Sequence, residues 1–442
     1  MSSVYSGEAF HPDCGSVESS PTFGMLDRNR PLDTYLLSDP RRTSHAAPFT
    51  RKMEPRLTIV LPLKGRPLFT LRFLWHANRA RMPFRFLIAD GQVRPPLMET
   101  LENSRELFPH LDIEYIRYPD DANWSRYFAK MHDALQRVRT PYVMLADNDD
   151  FLAPAGIESC MEFLDPRPDY VCCAGGIAGF SVYAPLSAPS GKLLGPINRM
   201  TCSYTPDSSP EGVRSDDMRA RVQSGFHCYW FFYSVYRPRA LELVWKEIME
   251  MDFSNFHVGE LYGTLRTLTL GKARQDQTVT SYFKQSDTAV GWHWATSEAA
   301  PSASFVYHLL RSRFSADCSA MIERVSRAVA EADGSDAKEI AEQLRLFAEP
   351  FVDQIIRNNY GLTARTLQSL RHYAPSVSEW LKTRYRPSVI LEKRGVRDRL
   401  RRNGARAGYL AEFQSELARM EEALNGREFR DFLVHHTDAT VS

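Results

Sequence analysis

The feature that most restricts the fold is an alternation of short strand patterns with helical patterns between residues 57 and 150. Strands separated by helices form βαβ units, which build a mostly parallel sheet. Short unbroken apolar runs suit such a sheet, because helices cover both of its faces. The predicted strands are Leu57–Leu61, Phe84–Ala89, Asp112–Ile116 and Tyr142–Ala146. The sequence therefore predicts an α/β domain.

The helical patterns and the later elements complete the predicted organisation. Helices are predicted at Leu68–Arg81, Pro95–Phe108, Trp124–Val138, Arg239–Met251 and His257–Leu270, and further strands at Tyr170–Ala174 and Tyr229–Tyr236. Residues 184–224 are rich in Ser, Pro, Gly and Arg, which indicates an irregular segment. We therefore predict a mobile or loosely packed arm over 1–53, an α/β domain over 54–300 and a helical region over 301–442.

Composition narrows the class of protein. The 442 residues are 43% hydrophobic and 25% charged, which is ordinary for a globular protein, and the net charge of +1 gives no case for nucleic acid binding. The seven cysteines are scattered and form no CxxC pair. No signal peptide is recognised, and no apolar run reaches the roughly 20 residues of a membrane helix. These observations favour a cytoplasmic protein.

A cluster of acidic residues follows the fourth predicted strand. Asp147, Asp149 and Asp150 come directly after the apolar run that ends at Ala146. Neighbouring carboxylates repel one another, and burying them is costly unless a cation offsets their charge. Asp-x-Asp after a strand suits a hard divalent cation bound through carboxylate oxygens. The alternative is an acidic turn in which Asp150 caps the next helix.

Two other strand ends carry groups suited to a ligand. In open parallel sheets, ligands bind at the carboxyl ends of the strands. The turn Pro62–Arg66 follows the first strand, and Asp90 follows the second, where it could accept hydrogen bonds from a ribose or a base. Two acidic strand ends at βαβ spacing favour a binding site over a capping turn. Arg66, Arg126 and Lys130 are candidate phosphate partners.

Four segments resemble the family 2 glycosyltransferases, which have the Rossmann-like GT-A fold. The segments are Leu57–Arg66, Phe86–Gly91, Ala129–Leu135 and Tyr142–Asp150. The resemblance is good from about residue 56 to 155 and extends more weakly to about 295. It departs from the family at Gly65, where a polar residue is frequent, and after Asp90, where Gly-Gln follows. It implies a GT-A-like sheet and transfer from a nucleotide-diphosphate sugar, with inversion.

The resemblance also implies roles for individual residues. It assigns nucleotide-sugar binding to Pro62, Lys64, Arg66, Asp90 and Asp147, a Mn²⁺ or Mg²⁺ ion to Asp149 and His293, and the catalytic base to Glu260. A solvent-facing helix glutamate is the alternative for Glu260, and Asp216 and Asp217 are rival bases. A packed core histidine is the alternative for His293. Trp292, Trp294 and Tyr229–Tyr233 could face the acceptor.

The leading hypothesis is therefore a metal-dependent transferase that adds a sugar to a glycan or glycoconjugate acceptor. One alternative is a non-catalytic GT-A-like module that binds a glycan or a partner. Another is a Mg-dependent phosphotransferase, but Phe151 stands where that class has Thr or Val. A basic run between Arg384 and Arg406 could contact an anionic membrane at its inner face, and a solvated helix face is the other interpretation.

Overall fold

The computed structural model describes residues 54–91, 107–119, 121–182, 193–203, 212–226, 228, 231–254, 256–285, 312–360 and 389–436. These residues belong to one compact unit, Thr43–Ser442. The strands are β1 Leu57–Leu63, β2 Arg85–Asp90, β3 Asp112–Arg117, β4 Tyr142–Leu145, β5 Phe151–Leu152, β6 Tyr170–Val182, β7 Ile197–Ser203, β8 Val235–Tyr236 and β9 Lys272–Gln285.

Eleven α-helices lie within the described ranges. They are α1 Pro67–Arg79, α2 Trp124–Gln136, α3 Pro154–Leu164, α4 Met218–Gly225, α5 Pro238–Met251, α6 Phe256–Leu270, α7 Ser312–Asp333, α8 Ala337–Tyr360, α9 Val389–Arg402, α10 Ala407–Asn425 and α11 Arg427–His436. Two 3₁₀ turns, Gly212–Arg214 and Phe231–Tyr233, accompany them. None of these helices is long and apolar enough to cross a bilayer.

The strands form one nine-stranded sheet in the order β3-β2-β1-β4-β8-β6-β9-β5, with β7 paired to β6. The first four strands are parallel, as is the long β6–β9 pair, and the remaining pairs are antiparallel. Most paired residues therefore lie in parallel ladders. This confirms the predicted Rossmann-like α/β class, with a mostly parallel sheet and flanking helices.

The register of the parallel strands places their carboxyl ends at one edge. Leu63 pairs with Asp90 across β1 and β2, and Val60 pairs with Leu145 across β1 and β4. The interior residues of these strands are buried, as expected for a sheet covered on both faces. Helix α2 begins where the Asn123 side chain accepts a 3.0 Å hydrogen bond from the Arg126 amide. This hydrogen bond fixes the start of α2, the helix that precedes β4.

The C-terminal helices share the core of the sheet. Phe429 of α11 packs on Trp75 of α1, with ring centroids 5.3 Å apart. Phe413 of α10 stacks on Phe283 of β9 at 5.9 Å. The predicted boundary near residue 300 lies outside the described residues, as does the predicted arm 1–53, so both stay predictions.

Several predicted elements differ from the structure. The predicted aromatic strand Tyr229–Tyr236 was wrong over its described part, which is a 3₁₀ turn followed by the two-residue β8. Aromatic residues favour strands, but ring contacts of Phe232 with Phe256 and of Tyr233 with Tyr282 override that preference here. Residues 95–106 of one predicted helix lie outside the described residues. The elements around the sheet that the sequence analysis did not find are α3, α4, β5, β7 and β9.

Candidate active site

The acidic residues after β4 converge at the carboxyl edge of the parallel strands. One carboxylate oxygen from each of Asp147, Asp149 and Asp150 lies within 4.8 Å of the others. Asn148 anchors the turn between them, because its side-chain amide donates to the Thr70 hydroxyl at 3.0 Å. The turn therefore tilts three carboxylates towards a common point, as the sequence predicts.

Asp150 is the most deeply buried of the three, with 1% of its surface exposed. Its Oδ1 accepts a 2.6 Å hydrogen bond from the backbone N–H of Gln285. Its buried Oδ2 makes no hydrogen bond of ordinary geometry within the described residues. Burial, together with the charges of Asp149 and Asp147, raises the pKa of Asp150 well above its usual range. The alternative role of Asp150 as a helix cap is wrong, since α3 begins after Ala153.

Two stacked tyrosines hold Asp147. The Tyr233 hydroxyl donates to Asp147 Oδ2 at 2.8 Å, and the Asp147 amide donates to the Tyr282 hydroxyl at 2.9 Å. The two rings lie 4.2 Å apart. Burial and the neighbouring Asp149 raise the pKa of Asp147 to about 6, although Lys284 and the Tyr233 hydroxyl act in the opposite direction. The two tyrosines thus fix the position of Asp147, but its negative charge is only partly neutralised.

Three cationic side chains surround the acidic turn. Arg66 Nη1 lies 3.0 Å from Asp149 Oδ2, and Lys284 Nζ donates to the Tyr233 hydroxyl at 2.8 Å. The fully buried Arg72 donates to the Asp149 carbonyl and to Gln285 Oε1 at 2.5 and 2.8 Å. Arg66 has a left-handed backbone with φ 59°, which costs energy in a non-glycine residue and is frequent at ligand-binding turns. An anionic ligand at this edge would meet positive charge.

A second buried polar cluster lies behind the ends of β1 and β2. Asp90 is 1% exposed and accepts a hydrogen bond from the Tyr115 hydroxyl. Lys130 pairs with Asp121 and donates to the Leu63 carbonyl at 3.0 Å. Burial lowers the pKa of Lys130 below its usual value, although the charges of Asp121 and Asp90 act in the opposite direction.

Gly91 is required by close packing in the second cluster. A Cβ atom there would lie 2.4 Å from the Asp121 carboxylate, closer than real contacts allow. The Lys64 ammonium donates to the Asp121 carbonyl, which ties the turn after β1 to the same loop. Lys64 and Asp90, two of the predicted nucleotide-sugar residues, therefore belong to one connected group beside the acidic turn.

Glu260 lies on α6. Its charge raises the pKa of Asp147 and of Tyr127, which places its carboxylate within electrostatic reach of both. It also lines a cavity of about 340 Å³. The side chain is partly exposed, so both the catalytic role of Glu260 and the alternative of a solvent-facing helix glutamate stay predictions.

The rival bases lie at the far end of β9. Asp216 pairs with Lys272, the first residue of that strand, at 2.6 Å. Asp217 caps α4 by accepting the Arg219 amide at 2.9 Å. The acidic turn contacts Gln285, the last residue of the 14-residue strand. At about 3.3 Å per residue the two ends are roughly 40 Å apart along the chain, so neither aspartate joins the site.

The remaining predicted residues fall into two groups. Pro62 is the penultimate residue of β1, and Arg126 is exposed on the first turn of α2. His293, Trp292 and Trp294 lie outside the described residues, as do Tyr229 and Trp230 of the aromatic segment.

Sequence reasoning missed the residues that reach the site from distant elements. These are Arg72, Tyr282, Lys284 and Gln285. Arg72 sits inside an ordinary amphipathic pattern, and β9 begins with charged residues, so neither gave a signal in the sequence. The run Tyr282–Gln285, in which aromatic residues precede a lysine, is the one local feature that could have found the strand.

The residues present fit a hard divalent cation. Three carboxylates lie close together, and Asp150 keeps a buried oxygen that accepts no hydrogen bond from the described residues. Oxygen donors of this kind are what Mg²⁺ and Mn²⁺ prefer, and a cation would lower the raised pKa values of Asp147 and Asp150. Arg66 pairs with Asp149, and Lys284 acts to lower the pKa values of Asp147 and Asp150, yet these pKa values stay raised, so the nearby cations offset only part of the negative charge.

Comparison with known proteins gives structural neighbours only. No protein family and no curated protein matches this sequence. A structure of TarS from S. aureus is 10% identical, with a TM-score of 0.40 over 66% of this chain and 43% of that one. A TarS 1–349 complex with UDP is 8% identical, with a TM-score of 0.38, 85% of this chain and 92% of that one covered.

A third neighbour is the mannosyltransferase PcManGT from Pyrobaculum calidifontis, in complex with GDP-Man and Mn²⁺. It is 11% identical, with a TM-score of 0.34, and 78% of this chain and 91% of that one are covered. The chain spans less than half of the length of the first TarS structure. Since all three TM-scores are below 0.5, the likeness is loose and assigns neither a family nor an activity to this chain.

Proposed function

We propose that this chain is a glycosyltransferase that transfers a sugar from a nucleotide-diphosphate sugar to a hydroxyl group of an acceptor. The observation that carries the proposal is the convergence of Asp147, Asp149 and Asp150 within 4.8 Å at the carboxyl edge of the parallel strands. In open α/β sheets this edge is where ligands bind. The chemistry of the cluster suits a cation, and the cations beside it suit a diphosphate.

Each part of a donor has a matching group in the chain. Asp149 and Asp150 would hold Mn²⁺ or Mg²⁺, which when bound neutralises the charge of a diphosphate leaving group. Arg66 and Lys284 lie beside the turn and could pair with phosphate oxygens. Asp147 could accept a hydrogen bond from a ribose hydroxyl. Asp90 is the candidate partner of the nucleoside, with Tyr115 fixing its orientation.

Glu260 is the proposed catalytic base. Its carboxylate would take the proton of the acceptor hydroxyl while the oxygen attacks the sugar carbon and the bond to the diphosphate breaks. A single displacement of this kind inverts the configuration at that carbon. The proposal extends to a glycan or glycoconjugate as the source of the hydroxyl, as in the assembly of surface polysaccharides.

Nucleotide binding tests the proposal directly. We expect isothermal titration with UDP and GDP to show binding that Mn²⁺ strengthens at least tenfold in the wild-type protein. Asp149→Asn should remove that Mn²⁺ dependence, because a carboxylate ligand becomes a neutral amide. Asp216→Asn is the matched control, since Asp216 is exposed and lies at the other end of β9. Equal Mn²⁺ dependence in wild type and Asp149→Asn would disprove the metal assignment.

A further inference from the structure

A cavity of about 340 Å³ lies beside the acidic turn, between α2, α5, α6 and the end of β4. Much of its wall is apolar and at most 4% exposed, and includes Phe128, Phe231, Leu241, Val244, Trp245 and Ile248. Protein interiors are close-packed, with few voids larger than a water molecule. A dry apolar cavity takes up apolar molecules of matching size. A partly open, mostly apolar space of this size therefore has the character of a binding site.

The wall of the cavity excludes charged ligands. Among the described residues that line it, Glu260 is the one charged side chain, and none is a lysine or an arginine. A phosphate or carboxylate in this space would meet no cation from the described lining residues, and burying an unpaired charge is strongly unfavourable. The occupant must therefore be uncharged, with a polar group only where it meets Glu260.

Two glycines of α6 keep the cavity open. Gly259 and Gly263 are four residues apart, so they lie on the same face of the helix. Both line the cavity. A Cβ atom at Gly263 would lie 3.4 Å from Val244, and one at Gly259 would lie 3.6 Å from Ile248. Larger side chains at these positions would enter the space that the glycines leave.

The cavity and the acidic turn are neighbours in the chain as well as in space. Leu145 lines the cavity two residues before Asp147. Phe231 also lines the cavity. It lies in the same 3₁₀ turn as Tyr233, whose hydroxyl donates a hydrogen bond to Asp147. Glu260 belongs to both, since it lines the cavity and its charge reaches Asp147. A molecule in the cavity could therefore present a hydroxyl group to Glu260 beside the donor site.

We propose that this cavity binds the acceptor of the sugar transfer, and that the acceptor is an uncharged alcohol with an apolar body of about two rings. The size follows from the volume, because a cavity of about 150 Å³ holds one benzene ring. The inference rests on the proposed function for its catalytic meaning. In place of the glycan or glycoconjugate considered above, it makes the acceptor an apolar aglycone whose hydroxyl meets Glu260.

Three related probes test the cavity without nucleotide or metal. 2-Naphthol should bind the full-length protein, whereas naphthalene should bind about tenfold more weakly or worse, because it lacks the hydrogen bond to a charged carboxylate. 2-Naphthyl phosphate should not bind detectably. Absence of naphthol binding, or equal binding of naphthyl phosphate, would overturn the inference.

Variants that fill the cavity locate the binding. Val244→Phe should weaken 2-naphthol binding at least tenfold, and Leu241→Phe should do the same from a second position. Val434→Phe is the matched control, because Val434 is 60% exposed on α11. Unchanged naphthol affinity in a folded Val244→Phe or Leu241→Phe protein would place the ligand elsewhere and refute the inference. If neither variant folds, the comparison of the three probes on the wild type decides.

The same proteins separate this inference from the proposed function. UDP or GDP binding with Mn²⁺ should be unchanged in Val244→Phe, since Val244 lies on α5 and is not among the residues proposed to bind the donor. Nucleotide binding without naphthol binding would reject the acceptor cavity alone. Naphthol binding without any nucleotide binding would reject the acceptor role together with the proposed function.

Discussion

The residues of the site differ in their surroundings, which assigns some of them to donor binding and one to the chemical step. Asp149 and Asp150 combine close approach with incomplete neutralisation, which suits a cation. Glu260 stands apart from them on α6, within electrostatic reach of Asp147. Loss of an aspartate should therefore change donor affinity, whereas loss of the glutamate should change the rate.

Glu260→Gln tests the second part of that separation. Glutamine keeps the shape of the side chain but cannot accept the acceptor proton. Since general base catalysis contributes about 10²–10⁴-fold, kcat should fall by roughly that factor while donor affinity is retained. Steady-state transfer with the best donor of the nucleotide panel measures it, and Asp217→Asn serves as the control. A kcat within a few-fold of wild type would exclude Glu260 as the base.

The acidic turn also predicts a pH dependence of stability. Burial raises the pKa of Asp147 to about 6 and that of Asp150 well above its usual range, whereas both ionise near pH 4 in the unfolded chain. The native state therefore binds more protons than the unfolded state above pH 4. The free energy of unfolding of the metal-free protein should fall as pH rises from about 4 through 6.

Urea unfolding between pH 4.5 and 7.5 measures this effect. Asp150→Asn should flatten the pH profile, because an amide carries no charge to bury, and Asp216→Asn should follow the wild type. Mn²⁺ should stabilise the wild type most at the higher pH values, since it binds deprotonated carboxylates. Parallel profiles for wild type and Asp150→Asn would show that Asp150 does not titrate as proposed.

Among the elements, α10 holds the chain just beyond the acidic turn. Glu416 is 3% exposed, and its Oε1 accepts the Ala155 amide in the first turn of α3 at 3.0 Å. Its Oε2 has no hydrogen-bond partner within the described residues. Burial raises the pKa of Glu416 to about 7, against the lowering effect of the Ala155 amide and of Arg419. Helix α10 thus caps α3, which packs against β6 and β9.

Glu416→Gln should remove the cost of ionising this group and keep the cap. Because the native pKa is raised from 4.5 to about 7, the wild type should lose up to about 3 kcal/mol relative to the variant between pH 4.5 and 8. Glu412→Gln is the control, since Glu412 is exposed on the same helix. Urea unfolding at the two pH values measures the difference. A variant no more stable than wild type at pH 8 would contradict the role given to the buried charge.

The sequence predicted the elements whose signals are local and missed those whose stability is tertiary. Strands β1, β2 and β4 are apolar runs ahead of polar turns, so their bounds were predicted to within two residues and the acidic turn was found. Strand β9 begins Lys-Ala-Arg-Gln-Asp and is held by its pairing with β6, which no local pattern shows. The site residues on β9 were lost with the strand. The contact of Glu416 with Ala155 spans 261 positions and could not be read from spacing.

At the scale of the molecule, the C-terminal helices complete the hydrophobic core. Phe429, Phe432 and Leu433 of α11 pack with Trp75 and Phe108 from the first part of the sheet domain. The side chains of Phe429 and Leu433 are fully buried. Arg79 adds ion pairs of 2.9 and 3.0 Å to Glu422 and Glu428, but exposed pairs of this kind contribute little. The apolar contacts should therefore dominate the attachment.

Phe429→Ala tests whether the helices and the sheet unfold together. Truncating a buried phenylalanine costs about 3–5 kcal/mol, because transfer energy is lost and a cavity remains. Phe347→Ala is the matched control, since Phe347 is 42% exposed on α8 and should change stability by about 0.5 kcal/mol or less. Urea titrations followed by helical circular dichroism and by Mn²⁺-dependent nucleotide binding each give a midpoint. If the core is shared, Phe429→Ala should lower both midpoints by the same amount. Were the C-terminal helices an independent module, only the helical signal would shift, and the donor site would survive the substitution unchanged.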